Sequence, residues 1–138
     1  MVVIIDYEMG NVRSVYKAFQ AIGAEVAISN QPEAINQATH LVLPGVGTFG
    51  EGMNNLKRLG LLDLLHQQVV VREKPFLGIC LGMQLLASEG FEDGPHQGLG
   101  WLPGKVDRLE NQGGQLKLPH IGWNEISGWA VDDHAAAF

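Results

Sequence analysis

A glycine-flanked cysteine is the residue best suited to covalent chemistry. Cys80 lies in Gly78-Ile79-Cys80-Leu81-Gly82, which follows an apolar segment and precedes a helical pattern. This is the cysteine form of the G-x-S-x-G nucleophile elbow, a turn so tight that a Cβ two residues to either side would clash. The following helix N-terminus favours thiolate over thiol, and the N–H of Leu81 can donate to an oxyanion. The alternative is a buried structural cysteine, since free cysteines are among the most buried residues.

A second glycine cluster follows the third apolar segment, in Pro44-Gly45-Val46-Gly47-Thr48-Phe49-Gly50. Gly45, Gly47 and Gly50 match G-x-G-x-x-G, which in dinucleotide-binding folds lets the backbone approach a pyrophosphate. The match is weak, because it follows the third predicted strand and no acidic residue stands at the end of the next one. Two other interpretations are a loop that supplies backbone donors beside the elbow, and a purely structural turn.

Histidines are candidates for a general base that would assist the cysteine. The sequence contains five of them, at positions 40, 66, 96, 120 and 134. None has the spacing to another His, Cys or carboxylate that a metal site needs, so we predict no metal. For each histidine a non-catalytic role is the simpler interpretation, because few histidines in a fold act as bases. Trp123, in a Gly-Trp-Asn segment, is the tryptophan best suited to binding rather than packing.

Short apolar runs alternate with helix-like patterns along most of the chain. Strands are predicted at residues 2–5, 25–29, 41–43 (ended by Pro44-Gly45) and 76–79. Helices are predicted at residues 12–22, 32–36, 49–59, 61–71 and 82–88. A strand at 105–109, a turn at 113–114 and one or two strands within 116–126 follow. This order predicts an α/β fold, a mostly parallel sheet with helices on both faces and a ligand crevice beyond the carboxyl ends of its strands.

Composition restricts the function classes that fit. The 138 residues, 46% of them hydrophobic, predict a single domain with its own core, residues 1–138. A net charge of −6 without a basic cluster argues against nucleic acid as a partner. The single cysteine excludes an intrachain disulfide and favours a reducing compartment, so we expect a cytoplasmic protein. We expect no signal peptide and no membrane partner, because the first apolar run ends at Asp6 and no run is long enough to span a bilayer.

Four segments together carry a resemblance to a known family. The elbow, continued through Met83 and Gln84, resembles the signature of class I (triad-type) glutamine amidotransferases. The segments Asp6-Tyr7-x-Met9-Gly10-Asn11, Pro44-Gly45-Val46-Gly47 and Pro119-His120-Ile121-Gly122-Trp123-Asn124 are similar to those of the glutaminase subunits of imidazole glycerol phosphate synthase. The resemblance runs through nearly the whole chain. It implies a flavodoxin-like class I glutamine amidotransferase fold and no cofactor.

The resemblance also implies a role for individual residues. Cys80 would attack the side-chain amide of glutamine, form a glutamyl thioester and release ammonia to a (β/α)8-barrel cyclase in a heterodimer of histidine biosynthesis. Val46 and Leu81 would supply the oxyanion N–H groups, and the loop 44–47 has to turn a peptide to present one. The residues expected to hold the glutamine are Gly47, Gln84 and Glu92, the last as partner of the α-ammonium group. The residues expected to face the cyclase are Asn11, Pro119, His120, Trp123 and Asn124.

The sequence departs from the family pattern in one respect. The family completes its triad with a His-Pro-Glu motif near the C-terminus, and no such motif is present here. We therefore expect the chain to correspond to the N-terminal two-thirds of such a subunit, with a sheet incomplete at the C-terminus. Loss of the base in a triad costs orders of magnitude in rate. The alternatives are a catalytically incomplete module that binds the cyclase, and a paralogous glutaminase that supplies another synthase.

Overall fold

The computed structural model describes residues 1–109, 119, 121–123 and 125. The chain divides into two units, Met1–Arg108 and Leu109–Phe138. All the helices and strands that are described lie in the first unit.

A four-stranded parallel sheet is the centre of the first unit. Its strands are β1 (Val2–Ile5), β2 (Val26–Ser29), β3 (His40–Gly45) and β4 (Phe76–Cys80), in the order β2-β1-β3-β4. The connecting helices are α1 (Val12–Ala21), α2 (Pro32–Gln37), α3 (Phe49–Arg58) and α4 (Leu61–His66), the last continued by a π-helical turn, Gln67–Val71. After β4 comes α5 (Leu81–Gln84). The α/β fold with a mostly parallel sheet is confirmed.

A small mixed sheet follows in the same unit. It consists of β5 (Ala87–Gly90), β6 (His96–Gln97) and β7 (Leu102–Val106), in the order β6-β5-β7. Strand β5 runs antiparallel to β6 and parallel to β7.

The strand order indicates the edge of the sheet at which a ligand is expected. From β1 the chain crosses one way to β2, and from β2 it crosses back over β1 to β3. Because parallel crossovers are right-handed, this reversal puts α1 and α2 on opposite faces of the sheet. It also makes the carboxyl ends of β1 and β3 the switch point, where ligands bind in open α/β sheets. Both strands are buried and apolar there, with Ile5 and Leu43 fully inaccessible to solvent.

The helix predicted at residues 82–88 is only partly correct, since α5 spans Leu81–Gln84 and β5 begins at Ala87. The carbonyl groups of the residues that follow α5 bond to a segment distant in sequence. The N–H of Leu99 donates to Leu85 O at 2.8 Å, that of Trp101 to Leu86 O at 3.0 Å, and that of Gly100 to Ala87 O at 3.0 Å. The returning segment 99–102 therefore turns these residues into a strand.

Two strand boundaries also differ from the prediction. Strand β3 continues through Pro44 and Gly45, which were predicted to end it, and both pair with β4. Proline is tolerated there because β3 pairs with β1 only as far as Val42, so Pro44 has a neighbouring strand on one side alone. Strand β7 spans Leu102–Val106 rather than residues 105–109. The predicted turn at 113–114 and most of 116–126 lie outside the described residues.

The junction between β4 and α5 is packed directly on the backbone of β3. A Cβ added to Gly82 would lie 1.7 Å from the carbonyl oxygen of Leu43. A Cβ added to Gly78 would lie 2.7 Å from the oxygen of Gly82 and from the backbone nitrogen of Met83. Backbone atoms cannot move aside as a flexible side chain can, so both glycines are sterically required.

We expect Gly82→Ala to lower the free energy of unfolding by about 3 kcal/mol or more, because the new methyl group has to displace β3. The matched control is Gly122→Ala, where an added Cβ meets nothing within 4 Å. That control should change the free energy of unfolding by less than about 0.5 kcal/mol. Urea unfolding followed by circular dichroism measures both. Equal stability of G82A and the parent chain would contradict this packing.

Candidate functional site

Cys80 lies at the point where β4 turns into α5, in a strained backbone conformation. It is the last residue of β4, and Leu81 is the first residue of α5. Its φ of 53° and ψ of −116° belong to a region that side-chain-bearing residues rarely occupy. The residue is exposed. The predicted elbow is therefore formed, and the alternative of a buried structural cysteine does not hold.

The loop 44–47 lies next to the elbow. Gly45 on β3 is the register partner of Cys80 on β4, so the following residues leave the sheet beside the sulfur-bearing turn. Leu81 opens α5, and the first N–H groups of a helix have no partner within the helix. The N–H of Val46, in contrast, donates to the carbonyl of Met9 at 2.9 Å. Of the two N–H groups predicted for an oxyanion, that of Val46 is thus engaged elsewhere.

The glycines of the G-x-G-x-x-G match make room for the protein's own side chains. A Cβ on Gly45 would lie 2.0 Å from the hydroxyl oxygen of Tyr7, and one on Gly47 would lie 2.8 Å from Cε of Met9. A Cβ on Gly50 would lie 2.6 Å from Cε1 of His96. The space toward which a side chain would project from these glycines is thus filled by the protein itself, which argues against a dinucleotide cradle. The interpretation as a loop beside the elbow fits the register.

Glu92 contributes its carboxylate to the start of α3. Its Oε2 accepts a hydrogen bond from the N–H of Phe49 at 2.9 Å, although 43 residues separate the two. Thr48 caps the same helix by accepting from the N–H of Glu51. Glu92, which is predicted to bind the α-ammonium group of glutamine, therefore has a structural contact with α3. Gln84 is the half-buried last residue of α5, and Gly47 is exposed with a φ of 115°.

Tyr7 was not among the predicted site residues, yet it lies at the centre of this region. Its side chain is 1% exposed, and its hydroxyl oxygen has no hydrogen-bond partner. Burial, with the negative charge of Cys80 as a second cause, raises the pKa of Tyr7 far above its ordinary value. Two features of the sequence could have indicated it: its position two residues after β1, at the switch point, and its place in the segment Asp6-Tyr7-x-Met9-Gly10-Asn11 that carries the resemblance. Met9 was missed in the same way, because its contribution to the loop 44–47 is a backbone carbonyl.

The residues predicted to face a partner fall into two groups. Asn11 is exposed and precedes α1 with a φ of 60°. Pro119 and Trp123 belong to the second unit and are exposed. His120 and Asn124 lie outside the described residues.

A cavity of about 500 Å³ lies away from the elbow. Its lining includes Lys57 and Asn54 on α3 together with His96 and Ser88. None of the residues predicted to hold glutamine or an oxyanion lines it, and neither does Cys80, so we assign it no part in the chemistry.

No group of three or more His, Cys, Asp or Glu side chains within the described part of the chain could hold a metal ion. Among those same residues, no helix combines the length and the apolar character needed to cross a bilayer.

Comparisons with known proteins show which family the chain resembles. The model of the family "Glutamine amidotransferase class-I" matches residues 3–127. An imidazole glycerol phosphate synthase subunit HisH from Campylobacter jejuni is 50% identical over 126 residues, which are 91% of this chain and 62% of the relative. The HisH subunit from Symbiobacterium thermophilum is 49% identical over 150 residues, covering 99% of this chain and 69% of the relative.

A solved structure supports the fold. A crystal structure of a glutamine amidotransferase superposes with a TM-score of 0.65 at 24% identity, covering 78% of this chain and 57% of that protein. The chain spans roughly three fifths of the length of the curated relatives, 62% of the Campylobacter subunit for example. The fold is thus the flavodoxin-like class I amidotransferase fold, as the resemblance implied. On the family match and the identities together, the chain belongs to the class I glutamine amidotransferase family.

Proposed function

We propose that the chain carries the nucleophile half of a glutaminase site. The observation that carries the proposal is the exposed Cys80 in its strained turn, with Gly78 and Gly82 packed tightly enough to exclude any side chain. The Cys80 thiolate attacks the side-chain carboxamide carbon of glutamine and forms a C–S bond. The C–N bond then breaks, and the nitrogen leaves as ammonia with an added proton. Water hydrolyses the thioester to glutamate and restores the thiol.

The tetrahedral intermediate needs two N–H donors for its oxyanion. The N–H of Leu81, at the start of α5, is one of them. We assign the second to Val46, whose N–H is held by Met9 O at 2.9 Å. The peptide between Gly45 and Val46 therefore has to turn before the site can stabilise an oxyanion. The two glycines on either side of Val46 favour this, since Gly45 has no side chain and Gly47 has the positive φ that glycine adopts freely.

We propose that Cys80 of this chain forms the glutamyl thioester but that the chain does not hydrolyse glutamine in steady turnover. The family supplies its base from a His-Pro-Glu motif that this sequence does not contain. Of the histidines whose position is described, His96 packs over Gly50, while His40 and His66 are exposed. Ammonia is passed, in this proposal, to a (β/α)8-barrel cyclase of histidine biosynthesis. The relatives from Campylobacter jejuni and Symbiobacterium thermophilum are synthase subunits, which supports that assignment.

We expect a diazoketone analogue of glutamine to label Cys80 faster than iodoacetamide does, because only the analogue uses the substrate contacts. Addition of the cyclase should raise that rate further. Mass spectrometry measures both reactions without ambiguity, since the chain has a single cysteine. Cys80→Ser is the control and should stay unlabelled. Equal rates for the two reagents, or no labelling by the analogue, would contradict a glutaminase site.

The role of Glu92 can be separated from its contact with α3. Glu92→Gln keeps an oxygen that accepts from the N–H of Phe49 but loses the negative charge. We expect labelling by the glutamine analogue to fall about tenfold to a hundredfold, since hydrogen bonds to charged groups contribute about 1.5–3 kcal/mol. The free energy of unfolding should fall by only about 0.5 kcal/mol, because the hydrogen bond to Phe49 is kept and only the negative charge at the start of α3 is lost.

Glu92→Ala is the second variant and should lose both functions. We expect it to reduce labelling equally and, in addition, to lower the free energy of unfolding by about 1 kcal/mol, as the loss of a helix cap does. If E92Q labelled as fast as the parent chain while E92A was destabilised, Glu92 would be a structural residue only.

The proposed cyclase contact can be tested through Trp123, which is fully exposed. We expect Trp123→Ala to weaken binding to the barrel subunit about thirtyfold, because buried aromatic residues at interface centres contribute about 2 kcal/mol or more. Ile22→Ala, at the far end of α1 from Asn11, is the matched control and should bind normally. Isothermal titration calorimetry measures the affinities. A parent chain that does not bind the cyclase would favour a glutaminase that serves another synthase.

A further inference from the structure

The hydroxyl group of Tyr7 is an anomaly in an otherwise apolar part of the core. The side chain is 1% exposed and packs in the same cluster as Leu43, Leu81 and Leu85. Within the described part of the chain, the hydroxyl oxygen nevertheless has no hydrogen-bond partner. An unsatisfied buried polar group costs about 1–3 kcal/mol, which a phenylalanine at this position would avoid. A buried hydroxyl without a partner in the folded chain calls for a functional explanation.

The position of this hydroxyl points to the nucleophile turn. Its oxygen lies 2.0 Å from the point where a Cβ of Gly45 would be, and Cβ of Leu81 lies 3.3 Å from that same point. Gly45 is the register partner of Cys80, and Leu81 follows Cys80 in the chain. The hydroxyl therefore lies close to the carboxyl end of β3, beside the residue that pairs with Cys80.

The protonation state of Tyr7 suits a donor. Burial and then the charge of Cys80 raise the pKa of Tyr7 well above its ordinary value, so the phenol keeps its proton throughout the range in which a thiol ionises. A neutral phenol carries no charge that would repel an anion, and its O–H group can donate a hydrogen bond to one.

We propose that Tyr7 is a positioning residue for the nucleophile, whose buried O–H group turns toward Cys80 and stabilises negative charge on the sulfur. The proposal rests on the glutaminase function proposed above and deepens it. The hydroxyl is held beneath the turn, and its missing partner is supplied when the thiolate forms. The cost of the unsatisfied hydroxyl in the neutral state then becomes part of the driving force for ionisation.

Other charged groups near the elbow do not offer the same stabilisation. The elements packed against β4 and α5 are β3, α3 and β5, and the loop 6–11 adjoins them. Their titratable or charged residues are His40 on β3, Glu51, Lys57 and Arg58 on α3, Glu89 on β5, and Asp6 and Glu8 in the loop.

The cations of this set are engaged or remote. His40 begins β3, whereas Cys80 pairs with its last residue. Arg58 forms an ion pair with Glu8, and Lys57 lines the cavity on α3. The carboxylate of Glu51 lies 3.6 Å from the Cβ position of Gly47, and its charge opposes a thiolate nearby. Tyr7 is thus the neutral donor at a turn where the described cations supply no counter-charge.

The test compares Tyr7→Phe with the parent chain in the pH dependence of alkylation by iodoacetamide, which reports on the single cysteine. We expect the midpoint of the rate curve to rise by about one pH unit, because a hydrogen bond to a charged group is lost and one unit corresponds to about 1.4 kcal/mol. The plateau rate at high pH and the melting temperature should not fall. Tyr16→Phe, which removes a hydroxyl on α1 that accepts from Gln20, is the matched control and should leave the curve in place.

Each outcome decides the proposal. A midpoint that rises in Y7F but not in Y16F supports it. An unchanged midpoint, a lower plateau without a shift, or a Y7F chain that does not fold overturns it, because the hydroxyl would then be irrelevant or purely structural. Iodoacetamide does not depend on glutamine recognition. If the midpoint of the iodoacetamide curve rises in Y7F as expected but the glutamine analogue fails to label Cys80, only the glutaminase function is contradicted.

Discussion

The absence of a Cβ at Gly78 and Gly82 is the constraint on which the site depends. Both positions abut backbone atoms, the first those of α5 and the second the carbonyl of Leu43 on β3. This close approach lets the chain turn from β4 into α5 within one residue. That residue, Cys80, takes up the strain as a positive φ, and its side chain is carried out of the sheet into solvent. The cysteine is thus presented by backbone packing rather than by side-chain contacts.

The backbone N–H groups on the two sides of the turn differ in their hydrogen bonding. The first N–H groups of α5 have no partner within the helix. The N–H of Val46 in the loop 44–47, in contrast, donates to the carbonyl of Met9. Tyr7 and Met9 both come from the loop after β1, and both contact the loop after β3. At the switch point of the sheet, residues that follow β1 therefore contact the end of β3, which pairs with the end of β4 at Cys80.

The sequence predicts well those features that depend on local sterics and periodicity. The elbow around Cys80 follows from two glycines at fixed spacing, and the apolar runs of β1 and β4 identify their strands. The helix expected at residues 82–88 ends early, at Gln84, and residues 85–87 bond instead to segment 99–102, which is distant in sequence. The positions of Tyr7 and Met9 depend likewise on which strands become neighbours. A glycine match such as Gly45-x-Gly47-x-x-Gly50 cannot reveal whether a phosphate or the protein's own side chains fill the space.

The most direct measurement of the central claim is intact-mass analysis of the chain after rapid mixing with glutamine and acid quenching. The account predicts a glutamyl adduct on the peptide that contains Cys80, removable by hydroxylamine as a thioester is, and absent from Cys80→Ser. A chain that reacts with iodoacetamide at Cys80 but forms no glutamyl adduct, even with the cyclase present, would contradict the claim that this turn is built for attack on a carboxamide.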